Sequence, residues 1–336
     1  AYVMNFEYDY FPTDYTITYN LNGGTNNSSN PSTYNVLYGV TFSNPTKAGY
    51  DFLGWYDANG NKITGINEGC NATFSDTADL YSKLKTRKTG NVSITAKWTP
   101  INYIISYNLN GGTANNKTSY TIETEKFTLN APTKKGYRFL GWTDSNGTTA
   151  QKSVSIDKGT TGNKSYTANW TPINYTITYN LDGGTANNKT SYNIETATFT
   201  LSNPTKNGYV FVGWTGSNGT TPQKTVSIAK ESTGNKSYTA VFEKIIYTIT
   251  TSKAGSGAIS NSCIVSYAND NSIFITPAQG YVTSSLKIDG VSVNPVNKYN
   301  FLDVNKNHKI EVTFTITQNK KMELMQKEYS WIDLKL

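Results

Sequence analysis

The feature that most limits what this chain can become is a repeat. Tyr103 to Thr113 reads Tyr-Ile-Ile-Ser-Tyr-Asn-Leu-Asn-Gly-Gly-Thr, and the pattern returns 72 residues later at Tyr175 to Thr185. Its partner segment, Ser165 to Trp170, likewise returns at Ser237 to Phe242. An upstream copy opens at Tyr15 to Thr25 and closes at Ile94 to Trp98. Self-similarity at a fixed period implies an array of like modules whose work depends on number, spacing and exposed surface. The period divides the chain into modules at 15–100, 101–172, 173–243 and 244–316, flanked by an acidic linker or module end at 1–14 and a tail at 317–336. Domains of this size bury only about 60% of their unfolded surface, so an aromatic core or packing between neighbours must supply the rest.

Within a module the apolar residues alternate. Tyr175, Ile177, Tyr179 and Leu181 share one face of a strand while Thr176, Thr178 and Asn180 share the other. Asn110-Gly111-Gly112 and Asp182-Gly183-Gly184 then supply residues that tolerate positive φ in a tight turn. Next comes Pro-Thr-Lys-x-Gly-Tyr-x-Phe-x-Gly-Trp, at Pro45 to Trp55, Pro132 to Trp142 and Pro204 to Trp214. Strict alternation places Leu140 and Trp142 on one face and Tyr137, Phe139 and Gly141 on the other, which suggests the central strand of a sheet. Trp55, Trp142 and Trp214 therefore read as core anchors. Trp98 and Trp170, replaced by Phe242 in the third module, precede linkers as short as Thr99 to Asn102 and are expected to pack at module junctions. Proline and brevity in these linkers predict an extended rod of about 120 Å. The fold class expected is mainly β.

The chemistry legible in the chain is sparse. His308 is the single histidine, with no carboxylate or cysteine at a useful spacing, and reads as a turn or packing residue. Gly159 to Ser165 looks superficially like a phosphate loop, but Asn163 separates glycine from lysine and a strand follows. No Asp-x-Asp-x-Asp-Gly run suits calcium. Cys70 and Cys263 fall in different modules without a partner at metal or redox spacing. Asp57 and Asp144 align with Gly216, and Asp157 with Ala229, so no acid pair persists between the copies. No catalytic residue, cofactor or metal is expected. No apolar run is long enough to span a membrane. The net charge of +7 is diluted over the modules, and no recognition helix or zinc-finger spacing points to nucleic acid. Module two, at +4, is the most basic, and Lys134, Lys135 and Arg138 flank the turn into its Gly-Trp strand. They are the candidate contact for a polyanion.

At Asn20 to Thr25, Asn108 to Thr113, the three Gly-Tyr-x-Phe-x-Gly-Trp segments and the Ala-x-Trp-Thr-Pro closings, the first three modules resemble the Listeria-Bacteroides repeat, the family of the internalin B-repeat. The fourth module lacks both the Gly-Gly-Thr turn and the Gly-Trp strand. Its Gly255 to Ile259, Ile275 to Tyr281, Ile288 to Gly290 and Asn307 to Phe314 resemble the divergent B-repeat or bacterial repeat domain. These resemblances imply β-grasp-like modules in secreted or surface-attached bacterial proteins.

The expected function is a non-catalytic stalk segment of a bacterial surface or secreted protein that projects or supports adhesion. A carbohydrate- or polyanion-binding array acting by avidity is the alternative, with host or cell-wall glycans as partners. An accessory region of a larger secreted enzyme is a third. Opening at Ala1 in mid-pattern, the sequence reads as part of a longer chain. In the tail, Met322, Leu324, Met325 and Trp331 allow an amphipathic segment, but the polar composition favours disorder.

Overall fold

The computed structural model describes residues 12–68 and 84–333. It divides after Thr171 into two compact units, each carrying two modules. Cys70 and most of the segment 1–14 lie outside the described residues.

Each of the four modules is built on its own mixed sheet, with the same strand arrangement in all four. In module two the strand order is Gly147–Gln151, Tyr137–Asp144, Lys164–Pro172, Tyr103–Asn108, Ser119–Tyr120. The opening and closing strands run parallel, with Ser106 opposite Ser165 and Tyr107 opposite Tyr166. The centre of the sheet is therefore the closing strand, not the Gly-Trp strand that alternation suggested. It joins the opening strand on one side to the Gly-Trp strand on the other, and each of those carries a short edge strand beyond it. In modules two and three the crossover between the parallel strands carries a two-stranded ribbon, Phe127–Thr128 with Ser155–Ile156 and Phe199–Thr200 with Ser227–Ile228. Module one repeats the sheet with Tyr15–Asn20, Tyr50–Tyr56 and Val92–Pro100 as its three longest strands.

Strict alternation fails in the Gly-Trp strand. Between Phe52 and Gly54, and again between Phe211 and Gly213, the register with the closing strand shifts by a bulge. Gly54, Gly141 and Gly213 sit at φ of 142°, 145° and 159°. A β-carbon on Gly141 would come within 2.5 Å of the Gln151 nitrogen, so the hairpin partner closes directly over the glycine. The extra residue rotates Phe139 onto the tryptophan's face, where the rings meet edge to face at 5.4 Å. Leu140 is turned outward and is 39% exposed, in place of the two apolar faces expected.

Under the bulge lies each core. Trp55, Trp142 and Trp214 are 1%, 0% and 0% exposed. Around Trp142 gather Ile105, Tyr120, Leu129, Ile156, Tyr166 and Ala168. Trp55 donates its indole N–H to the Ser43 carbonyl at 3.2 Å. The Trp142 and Trp214 indole N–H groups have no hydrogen-bond partner among the described residues.

The tail differs from its expectation. Gln318–Asp333 is a helix, started by Thr317, whose hydroxyl accepts the Lys320 N–H at 3.3 Å and whose carbonyl accepts that of Lys321 at 2.9 Å. Glu323 lies 3.0 Å from Lys320 and 3.9 Å from Lys327, the helical i,i+3 and i,i+4 contacts that a composition-based reading overlooks. Met322, Leu324 and Met325 are exposed on it. The Trp331 side chain lies outside the described residues.

Removing an enclosed indole leaves a cavity that costs about 3–5 kcal/mol, comparable to all the stability a module of about 70 residues holds. Trp142→Ala in the whole chain is expected to collapse the module-two amide resonances while those of the fourth module stay dispersed. An unchanged spectrum would refute the dependence of module two on this ring.

Candidate functional site

The Gly-Gly turn, the Pro-Thr-Lys segment and the closing-strand aromatic form one cluster in each of the first three modules. The first glycine, at φ of 82° for Gly111, makes the turn. The second makes room: a β-carbon on Gly24 or Gly112 would lie 2.5 Å from the ring of Trp98 or Trp170, and one on Gly184 would lie 2.8 Å from Phe242. Trp98 and Trp170 donate their indole N–H to Leu21 and Leu109 carbonyls at 2.9 and 3.1 Å. These tryptophans thus cover the turn of their own module, a placement different from the junction role expected. A turn carbonyl and a glycine-sized gap lie within reach there, and together they hold the ring.

Lys134 closes the same cluster. Its ammonium donates to the Asn110 carbonyl at 2.9 Å and stands 4.1 Å over the Tyr137 ring. Lys47 and Lys206 do the same on Asn22 and Tyr50, and on Asp182 and Tyr209. The three basic residues of module two are therefore not equivalent. Lys134 is engaged within its module, while Lys135 and Arg138 are exposed.

Neighbouring modules within each unit meet at the glycine of Gly-Tyr. In the first unit Gly49, at φ of 77°, accepts the Ile101 N–H at 2.9 Å. Ile122 of module two fills the place of its missing β-carbon, 2.6 Å away. The Tyr50 hydroxyl then donates to Glu123 at 2.8 Å. In the second unit Gly208 accepts the Ile245 N–H at 2.9 Å, and Tyr267 of module four fills its gap at 2.5 Å. Gly280 repeats the seat once more, with the Thr317 N–H on its carbonyl and Lys320 of the helix in the gap. Nothing in the sequence pattern assigned this glycine to a junction, although its fixed place before tyrosine in all four modules was the available signal.

The sequence profile of the Listeria-Bacteroides repeat domain matches residues 15–83, 103–168 and 175–241. The chain belongs to this family. Internalin H of Listeria monocytogenes is 34% identical over 84 residues, which cover 25% of this chain and 15% of internalin H. A protein of Evansella cellulosilytica named "Putative membrane protein" is 27% identical over 208 residues, 60% of this chain and 28% of that protein. The chain thus spans less than a third of the length of the curated relatives it matches. It is a repeat segment like those of internalin H, and no enzyme family is found among the matches.

Beyond the three matched repeats, module four holds the His308 contact that spacing did not reveal. Asp289, in a turn at φ of 51°, lies 2.9 Å from His308 Nδ1 and 3.3 Å from Lys306 Nζ. It also accepts the Lys309 N–H at 2.9 Å. Partial burial works against the Asp289 carboxylate, yet the Lys309 N–H, His308 and Lys306 together hold its pKa below the usual range. His308 packs on Phe301 with ring centroids 4.7 Å apart. The arrangement ties a turn to a strand. No group of three or more metal-ligating side chains occurs among the described residues, and no helix there is long and apolar enough to cross a membrane.

The repeat cores carry a measurable titration. Burial pushes the phenols of Tyr19, Tyr107 and Tyr179 up to about 12. Each donates to a backbone carbonyl at 2.8–2.9 Å, and each rests on its module's buried tryptophan. From about pH 10 the unfolded phenols ionise while the folded ones stay neutral, so their stabilisation is whole below pH 10 and lost as pH rises toward 12. Denaturant melts of the whole chain are expected to lose stability steeply across that window, with part of the tyrosinate absorbance appearing only on unfolding. Tyrosinate absorbance that develops fully at ordinary phenol pH, with no loss of structure, would contradict this.

Proposed function

We propose that these repeats serve as a spacer in a bacterial cell-surface protein, holding other parts of that protein away from the cell and so supporting adhesion. The observation that carries this reading is the glycine seat. A linker of four residues, Thr99 to Asn102, would by itself leave two modules free to pivot. The Ile101 bond to Gly49, Ile122 in its gap and the Tyr50–Glu123 contact oppose that freedom in the first unit. Coupling of this kind suits a segment that must keep its reach, because a freely jointed chain spends much of its length in folded-back arrangements. The kinship with internalin H and with a protein named for a membrane supports a cell-surface setting.

The coupling can be tested in the whole chain with Cys70 and Cys263 replaced by serine and spin labels placed at Thr18 and Ser106, both exposed. The parent is expected to give a narrow distance distribution between modules one and two. Ile122→Asp with Glu123→Ala is expected to broaden it while the melting of each module stays in place. A distribution equally narrow in the variant, or broad already in the parent, would overturn the spacer reading.

A further inference from the structure

Module two contains a polar groove that neither the spacer role nor the core explains. In module two it has a volume of about 390 Å³ and lies between the hairpin turn, the crossover ribbon and the start of the closing strand. That size is within the usual range for small-ligand sites. Its lining includes Ser145, Gln151, Ser153, Thr160, Lys164 and Tyr166.

Tyr166 is the informative residue. It is 3% exposed, so its ring belongs to the core, stacked at 6.1 Å on Tyr107. Buried tyrosines elsewhere in the repeats place their hydroxyls on backbone carbonyls, Tyr34 on Gly90, Tyr120 on Gly162 and Tyr192 on Gly234, all at 2.6 Å. Among the described residues the Tyr166 hydroxyl has no hydrogen-bond partner, and the residue lines the groove. The hydroxyl is not one of the fully enclosed polar atoms without a partner, so it opens onto the groove, where water or a ligand can satisfy it. The outer modules have no polar group there: isoleucine, as Ile94 and Ile310, occupies the corresponding place, 1% and 0% exposed. Only modules two and three put a phenol there, as Tyr166 and Tyr238, and Tyr238 is likewise buried, its hydroxyl without a hydrogen-bond partner among the described residues.

Two residues before each phenol, on the same face of the strand, stands a lysine. Lys164 and Lys236 are half-buried and form no ion pair among the described residues. The remaining polar residues recur 72 positions on as Ser217, Gln223, Thr225 and Ser232. The one carboxylate in the module-two groove, Asp157, is paired with Lys126 at 2.8 Å and becomes Ala229 in module three. Retained hydroxyls, an amide and a cation, with a carboxylate that is not retained, describe a site for a ligand rich in hydroxyls that carries one negative charge. No aromatic face is presented, so recognition is by hydrogen bonds and charge.

We propose that the groove of module two and the matching residues of module three each bind a uronate unit of an acidic polysaccharide, the sugar carboxylate on Lys164 or Lys236 and ring hydroxyls on the phenol and glutamine beside it. The exposed Lys135 and Arg138 are not part of this site. The proposal does not depend on the spacer reading, since weak paired sites could serve a rigid or a flexible array.

The test is calorimetric titration of the whole chain with a hyaluronan tetrasaccharide and with trigalacturonate, against neutral cellotetraose and inorganic polyphosphate. Binding of a uronate oligosaccharide at one site in each of the two modules is expected, with neither control bound comparably. Tyr166→Phe with Tyr238→Phe keeps both rings in the core and is expected to weaken binding about tenfold, the loss of one hydrogen bond per site. Lys164→Met with Lys236→Met is expected to abolish it. Module three, free of Asp157, is expected to bind the more tightly, so Tyr238→Phe alone should cost more than Tyr166→Phe alone. No binding of either uronate, equal binding of cellotetraose or polyphosphate, or affinity unchanged in the phenylalanine variant would each overturn the assignment.

Discussion

The enclosure of one indole per repeat depends on a backbone irregularity beside it. A regular strand would send Phe139 and Trp142 to opposite faces, and a small module has only one face to cover. The bulge at Gly141 brings both rings to the same side and turns the intervening Leu140 outward. Two conditions make it feasible: a residue that accepts φ near 145°, and a hairpin strand so close that a β-carbon would collide with Gln151. The gain is burial of a ring of roughly 150–250 Å², worth about 4–6 kcal/mol before entropy is subtracted. Without it, the rings of Tyr107, Phe139 and Tyr166 would lose the surface they rest on.

From the core outward the same economy recurs. Glycine is used where another group must come close, and the group that comes close is a ring or the next module. Trp170 sits over Gly112 because the space is empty and the Leu109 carbonyl is within reach of its N–H. Ile122 and Tyr267 sit over Gly49 and Gly208 for the same reason, while a backbone hydrogen bond fixes the linker beside them. Each contact is small. Together they connect the sheet to its turn and one module to the next, so the junctions are extensions of the packing within a module.

What could be read in the sequence was the part governed by periodicity. The Tyr175, Ile177, Tyr179 alternation, the Gly-Gly turns and the recurrence at 72 residues are local or self-comparing signals, and the strands lie where they indicate. What could not be read depends on residues distant in the chain. The central position of Lys164–Pro172 follows from its parallel pairing with Tyr103–Asn108, some sixty residues earlier. The bulge changes the face of every residue before it without any change in composition. Lys134 looked like one of three free cations, because its partners, the Asn110 carbonyl and the Tyr137 ring, are a backbone atom and a side chain already assigned elsewhere. Asp289 and His308 are nineteen positions apart and meet only because Lys309 pairs across to that turn. The tail helix was hidden by its polar composition, since its capping threonine and ion pairs carry no hydrophobic periodicity.

The fourth module shows which of these features the architecture itself requires. It has neither Gly-Trp nor Gly-Gly-Thr, yet its sheet has the same order, with Cys263–Ser266, Ile246–Ala254, His308–Ile316, Tyr281–Ile288 and Val291–Val293. The register still shifts, now between Thr283 and Ser285, with no glycine at the bulge. Leu286 takes the tryptophan's place opposite Val312 and is 1% exposed. A leucine fills less space than an indole, and the difference is made up from the other layer: the ribbon becomes a three-stranded sheet that contributes Ile273, Ile275 and Phe301 to the core. Phe314 lies over Gly257 as Trp170 lies over Gly112, and Gly280 offers the junction seat. The parallel pairing, the bulge, the ring on glycine and the seat therefore persist when the motifs that first identified them are gone. The tryptophan is one way of filling a space that the strand order creates, which is why a single indole can be essential to module two and dispensable to the fold.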